Sequence, residues 1–342
     1  MAQSDRQAQT QVHVLVMPSF NLAATMGFLD PFRAANYLGG VVLYRWRLIS
    51  ETGGLVRASN GASIETMALA EVAEALPNLL IVSSSWAPEA HLSRPVLALL
   101  RRASLRDVTL GGIDTGAFVL AEAGLLNGHR ATVHYEHIDA FSELYPDTEV
   151  SETLWIFDGA RITCCGGVAA TEFALHIVER LGGAALANAA ARYLFSQTLR
   201  PHNAPQDPRE VEPLGATVPE TVRRAIKLME EHLENPLSIP DLCRALEVSD
   251  RQLSRLFARH VGRTPVLYYR DIRLDRARGL VTQTNLAMAE IAYASGFASQ
   301  VHFSRAYRAR FGLAPSQDRV EGRIPFEFRG WPMHRRPMPH NE

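Results

Sequence analysis

Gly111-Gly112-Ile113-Asp114-Thr115-Gly116-Ala117-Phe118 follows an apolar run and opens an amphipathic one. That is the setting of a nucleophile elbow. Small residues permit a sharp strand-to-helix turn, and the central side chain stands above the sheet beside unpaired backbone amides. Here the centre is Asp114, where hydrolytic elbows carry Ser or Cys. A carboxylate can itself be a nucleophile, but the sequence identifies no acid-base partner for it, and binding needs none. His134, in Ala131-Thr132-Val133-His134-Tyr135, can join Asp114 only if the fold brings the two together. Cys164 and Cys165 are adjacent, fall on a later strand and read as small buried residues. With Cys243 they have neither a disulfide framework nor the usual metal-ligand spacing, so no metal, no other cofactor and a reducing compartment are expected.

A second chemistry lies in a repeat. Leu253-Ser254-Arg255-Leu256-Phe257 returns fifty residues later as Phe303-Ser304-Arg305-Ala306-Tyr307, and at the same offset Gly262 returns as Gly312 and Pro265 as Pro315. Ahead of the turn the offset is forty-nine, Leu242 matching Ile291 and Val248 matching Phe297, so the second copy has one extra residue there. Each copy predicts a short helix, a tight turn and a longer helix. Ser249 or Asp250 can cap the first longer helix, whose exposed face carries Arg251, Gln252, Ser254, Arg255 and Arg259. The second, after Gly296, carries Ser299, Gln300, His302, Ser304, Arg305 and Arg308. Hydrogen-bonding side chains at the start of such a helix can reach base edges while arginines and helix amides meet phosphate.

The elements that must position these groups divide the chain. At 342 residues, 47% of them apolar, it is long enough for two domains with cores of their own. Alternating runs predict strands at 12–17, 46–50, 79–83 and 108–113, helices at 26–38, 69–76, 93–103 and 115–126, a hairpin over 154–165 and a helix at 169–181. This is an α/β unit, flavodoxin-like with a mostly parallel sheet. Placed beyond the carboxyl ends of its strands, Ser19-Phe20-Asn21, Ser84-Ser85-Trp86 and Asp114-Thr115 surround one crevice. There Asp114 offers charge, and Trp86 or Phe20 an aromatic face for a cation. Residues 200–217 are proline-rich and read as a linker, 218–320 as an all-α domain with two helix-turn-helix units, and 321–342 as a partly disordered tail. Charge divides likewise: residues 1–214 carry −7 and 215–342 carry +6, which pairs a basic module for a polyanion with an acidic one. No apolar run is long enough to cross a bilayer, and no membrane association is expected.

Residues 218–319, with the joining helix 265–282 and the closing pattern Gly296-Phe297, His302-Phe303-Ser304-Arg305, Phe311-Gly312 and Pro315, resemble the DNA-binding domain of AraC/XylS-type transcription regulators. Residues 11–185 resemble the class I glutamine-amidotransferase-like domain in its intracellular-peptidase branch, which is fused to AraC-type domains in one group of regulators. Enzymes of that superfamily carry Cys at the elbow with a nearby His, and Asp114 departs from them. The two resemblances together imply a cytoplasmic, homodimeric regulator and not an enzyme. It would bind double-stranded promoter DNA and a small-molecule effector, and as an activator would meet RNA polymerase. Elbows of the form Gly-Ile-Asp-Thr-Gly resemble those of regulators that respond to arginine or to quaternary amines. The resemblance therefore implies effector contacts at Asp114, Thr115, Trp86, Phe20, Asn21 and His134. DNA contacts are implied at Arg251, Gln252, Ser254, Arg255, Ser299, Gln300, His302, Ser304 and Arg305. An enzyme of the amidotransferase superfamily fused to a DNA-binding module is the alternative.

Overall fold

The computed structural model describes residues 9–72, 75–196, 200–201, 204, 206 and 218–322, and the chain splits into two compact units, 1–206 and 207–342. The expected tail beyond 322 and most of the expected linker lie outside the described residues.

In the first unit, β1 (Thr10–Val16), β5 (Leu79–Ser84) and β6 (Thr109–Asp114) are buried along almost their whole length. Such runs suit strands covered on both faces of a parallel sheet. Between them come α1 (Leu22–Gly39), β2 (Tyr44–Ser50), β3 (Thr52–Arg57), β4 (Ser63–Ala68), α2 (Leu69–Val72) and α3 (Arg94–Ser104). After β6 follow α4 (Gly116–Glu122), β7 (Arg130–Ala131), α5 (Ile138–Leu144), β8 (Glu149–Val150), β9 (Trp155–Asp158), β10 (Arg161–Cys164), α6 (Ala169–Gly182) and α7 (Ala184–Tyr193). The main sheet runs β3-β4-β2-β1-β5-β6-β10-β9. It is parallel from β4 to β10, with antiparallel pairs β3/β4 and β9/β10 closing its two edges.

The expected α/β class therefore holds, with elements added that the sequence did not place: the β3–β4 hairpin, the β7/β8 pair, α5 and α7. The β3–β4 hairpin was not foreseen, because Gly53-Gly54 and the mostly exposed side chains of the edge strand β3, and the mixed burial of β4, give no apolar alternation. Helix α7, rich in alanine, was also missed. Helix α4 stops at Glu122, short of the expected 126, where Gly124 turns the chain at φ 74°. Phe28, Phe32 and Phe173 on α1 and α6 fill the main core with Val12, Val14 and Ile81 from the sheet. The two phenylalanines of α1 meet edge to face at 5.3 Å. Strand β1 has β2 on one side and β5 on the other, so the strand order reverses there. The carboxyl ends of β1 and β5 consequently flank the crevice in which doubly wound sheets bind ligands.

All described elements of the second unit are helical: α8 (Glu220–Glu231), α9 (Ile239–Leu246), α10 (Asp250–His260), α11 (Pro265–Gln283), α12 (Met288–Ala294), α13 (Gln300–Phe311) and α14 (Pro315–Gly322). Val222, Ile226, Met229, Leu242, Leu246, Leu253, Phe257 and Tyr269 make the core of the first helix-turn-helix. In the second, Ile291, Phe297, Phe303 and Tyr307 occupy matching buried positions. The Tyr307 hydroxyl donates to Asp318 at 2.7 Å, and Arg278 pairs with the same buried carboxylate at 2.9 Å.

Candidate functional site

Strand β6 ends at Asp114, whose φ of 62° lies in the left-handed region. For a residue with a side chain this costs on the order of 1–3 kcal/mol and needs surrounding structure to hold it. Two glycines let neighbours close on the turn. A Cβ at Gly116 would stand 2.2 Å from the carbonyl oxygen of Val82, and one at Gly166 would stand 2.8 Å from the Asp114 Cβ. The Asp114 side chain is enclosed as a result, with the residue only 4% exposed.

Its partners come from the ends of neighbouring strands. Asn21, which caps α1 by accepting from Ala24 N–H, donates through Nδ2 to Asp114 Oδ2 at 3.2 Å. Ser85, just past β5, also hydrogen-bonds the carboxylate, and the Ser85 carbonyl accepts the Thr115 hydroxyl at 2.7 Å. Burial pushes the Asp114 carboxyl up to about 7, and the negative charge of Glu136 adds to this. Asn21, Ser85 and the Thr115 backbone pull the other way and lose. Near neutral pH this group can both donate and accept a proton.

The fold thus brings Asn21, Ser85, Asp114 and Thr115 together at the carboxyl ends of the central strands. Trp86 follows Ser85 and is half-buried. Phe20, the other expected aromatic face, is 0% exposed and belongs to the hydrophobic core, so Trp86 is the aromatic side chain left with open surface. His134 stands beside Glu136, its Nδ1 3.9 Å from Glu136 Oε2, and burial lowers its pKa to about 4. Cys164 pairs in register with Ile113, one residue before the elbow. Its thiol is pushed far above the ordinary value, chiefly by burial, and Asp114 contributes. A thiol held in that form is not a nucleophile.

Two residues of this neighbourhood, Glu136 and His137, were missed by treating His134 as a lone histidine. The signal was the run His134-Tyr135-Glu136-His137 itself.

In the second unit α10 and α13 repeat each other in exposure, residue by residue, over ten positions from Arg251 and Val301. Ser249 and Ser299 are the caps, accepting from Gln252 N–H at 3.2 Å and His302 N–H at 3.3 Å. The Ser254 hydroxyl donates to Asp250. Ser254 and Ser304 are half-buried, whereas Arg251, Gln252, Arg255, Gln300, His302 and Arg305 are exposed. Other arginines brace the fold. Arg273 donates to the carbonyls of Ser295 and Gly296 at the second turn, and Arg310 pairs with Asp271 and Asp275 on α11. Only part of the positive charge of this half therefore faces outward.

Residues 11–180 match the DJ-1/PfpI family and residues 242–320 a helix-turn-helix domain. The chain is 40% identical over 306 residues to the HTH-type transcriptional regulator CdhR of Pseudomonas aeruginosa, covering 90% of each chain. It is 34% identical over 316 residues to the HTH-type transcriptional regulator GlxA of Rhizobium meliloti, covering 92% of this chain and 97% of that one. A solved AraC family transcriptional regulator from Pseudomonas putida is 26% identical with a TM-score of 0.50, covering 54% of this chain and 99% of that one. The enzyme alternative finds no support in these relatives. An α/β unit of DJ-1/PfpI type, two matched helix-turn-helix units and this resemblance along nine-tenths of the chain place the protein among the AraC-type transcription regulators with an N-terminal DJ-1/PfpI domain, a DNA-binding regulator and not an enzyme.

Proposed function

We propose that the α/β unit binds a small nitrogenous metabolite, an amino acid or a quaternary amine, and that the chain answers by activating transcription from a promoter. The observation that carries this is the convergence of Asn21, Ser85, Asp114 and Thr115, next to half-buried Trp86, at the strand ends where ligands enter such sheets. A cation brought to Asp114 favours its ionised form, while Trp86 supplies an aromatic face. Residues 11–199 serve sensing and homodimerisation, 218–320 bind DNA, and the activated dimer meets RNA polymerase in the cytoplasm. No described helix is long and apolar enough to cross a membrane, in keeping with that location.

The test is thermal shift of the full-length protein against amino acids, betaines and polyamines, since a ligand that binds only the folded state raises its stability. At least one compound raises Tm in the wild type and fails to do so in Asp114→Asn. For a cationic ligand, affinity rises about tenfold per pH unit below 7, where Asp114 must lose its proton, and levels off above it. Absence of any shift, or an equal shift in Asp114→Asn, would refute the assignment.

A further inference from the structure

We infer that His134, Glu136 and His137 bind one divalent transition-metal ion of the cobalt, nickel and zinc class. The three side chains come from four consecutive residues, at a single turn of 3-10 helix over Tyr135–His137 that leads into α5. One ligating atom from each lies within 4.8 Å of the other two. Atoms that share an ion at about 2.1 Å stand roughly 3.0–3.4 Å apart, so modest side-chain rotation is enough to close them on a metal. His134 Nδ1 accepts the Glu136 backbone N–H at 3.4 Å and so caps this turn, while the Glu136 carboxylate, 3.9 Å from the same nitrogen, is not hydrogen-bonded to it.

The surroundings orient the ligands. The Tyr135 side chain hydrogen-bonds the Glu136 carboxylate, and the His137 ring stands edge-on to Phe118 with centroids 6.0 Å apart. Ligating carboxylates and imidazoles held by such outer contacts are a recurring property of metal centres. Two imidazoles and one carboxylate favour zinc-class ions over magnesium or calcium, and three protein ligands leave a coordination position open. The His134 and Glu136 side chains are 30% and 25% exposed, which gives an ion access. The three ligating groups stand together whether or not a metabolite binds at Asp114, whose carboxyl feels the Glu136 charge.

The experiment is titration of untagged full-length protein with Zn2+ by calorimetry and with Co2+ by visible absorption, with Mg2+ as the comparison. One equivalent of Zn2+ or Co2+ per chain is expected and no Mg2+ at the same concentration. His134→Ala and His137→Ala each weaken binding by ~100-fold or more, with Tm in chelator unchanged. If either variant melts far below the wild type in chelator, Glu136→Gln decides: weakened binding supports the site and unchanged binding overturns it. Failure of the wild type to bind stoichiometrically, or equal binding by folded His134→Ala and His137→Ala, also overturns it.

Discussion

Asp114 is strained in its backbone, buried in its side chain and raised to about 7 in its pKa. Because the folded value lies above the ordinary 3.8, the native state holds a proton that the unfolded chain has already released. This group's contribution to stability is therefore complete below about pH 4 and is lost as pH rises through 7. Asp114→Asn removes the titration. By urea denaturation at pH 5 and pH 8, the wild type should lose up to about 3 kcal/mol relative to the variant as pH rises; parallel behaviour would show that the carboxyl is not raised. On the DNA side, Arg255 and Arg305 occupy matched exposed positions on α10 and α13. Replacing either with Ala should cost ~1–3 kcal/mol of discrimination if it reads guanine, or lower the salt slope by about 1 if it meets phosphate. Anisotropy on specific and random duplexes separates the two, and unchanged binding in both folded variants would remove these helices from the interface. Asp114 and both arginines were legible from motif and repeat, since their residue types and spacing carry the signal. The nearness of Asn21 to Asp114, 93 residues apart, was legible from the rule that ligands sit beyond the strand ends, but the hydrogen bond between them was not.

At the scale of the elements, the two helix-turn-helix copies reach the same form by different local means. The first turn places Glu247 in the left-handed region at φ 57°, and the second uses Gly296 at φ 72°. Sequence periodicity located α9, α10, α12 and α13 because each has one apolar face, and Ser249 proved to be the cap that sequence left open between it and Asp250. Ser249→Ala and Ser299→Ala should each cost about 1 kcal/mol of unfolding free energy by losing a helix cap. Chemical denaturation of the two variants checks this, and a loss under a few tenths would mean that the caps are replaced by water or backbone. The β3–β4 hairpin shows why other elements were hidden. An edge strand such as β3, exposed over much of its length, needs no apolar period, and its place is set by pairing with β4, which in turn pairs with β2.

Across the whole molecule, the two halves of the sequence carry opposite net charge. The basic half directs exposed arginines outward from two like helices, Arg251 and Arg255 on α10 and Arg305 on α13. A dimer formed by the α/β unit would hold two DNA-binding units at high effective concentration. Residues 207–342 alone should then bind an operator selected from random sequence at least tenfold more weakly than the full chain, without response to effector. Equal affinity in an equilibrium titration would exclude dimer-assisted binding. The division into two units was legible because proline density rises from residue 200 and the charge changes sign across residue 214. How a ligand at Asp114 changes DNA binding was not, since that is a difference between two states and one sequence pattern serves both. The most direct measurement is the operator affinity of full-length protein with and without a ligand found by thermal shift, in the wild type and in Asp114→Asn. Coupling of 1–3 kcal/mol predicts a roughly 5- to 150-fold ligand-dependent change in Kd for the wild type and none for the variant, with matching ligand-free affinities. A wild-type Kd indifferent to ligand, or an Asp114→Asn protein that responds equally, would contradict control of the regulator through this site.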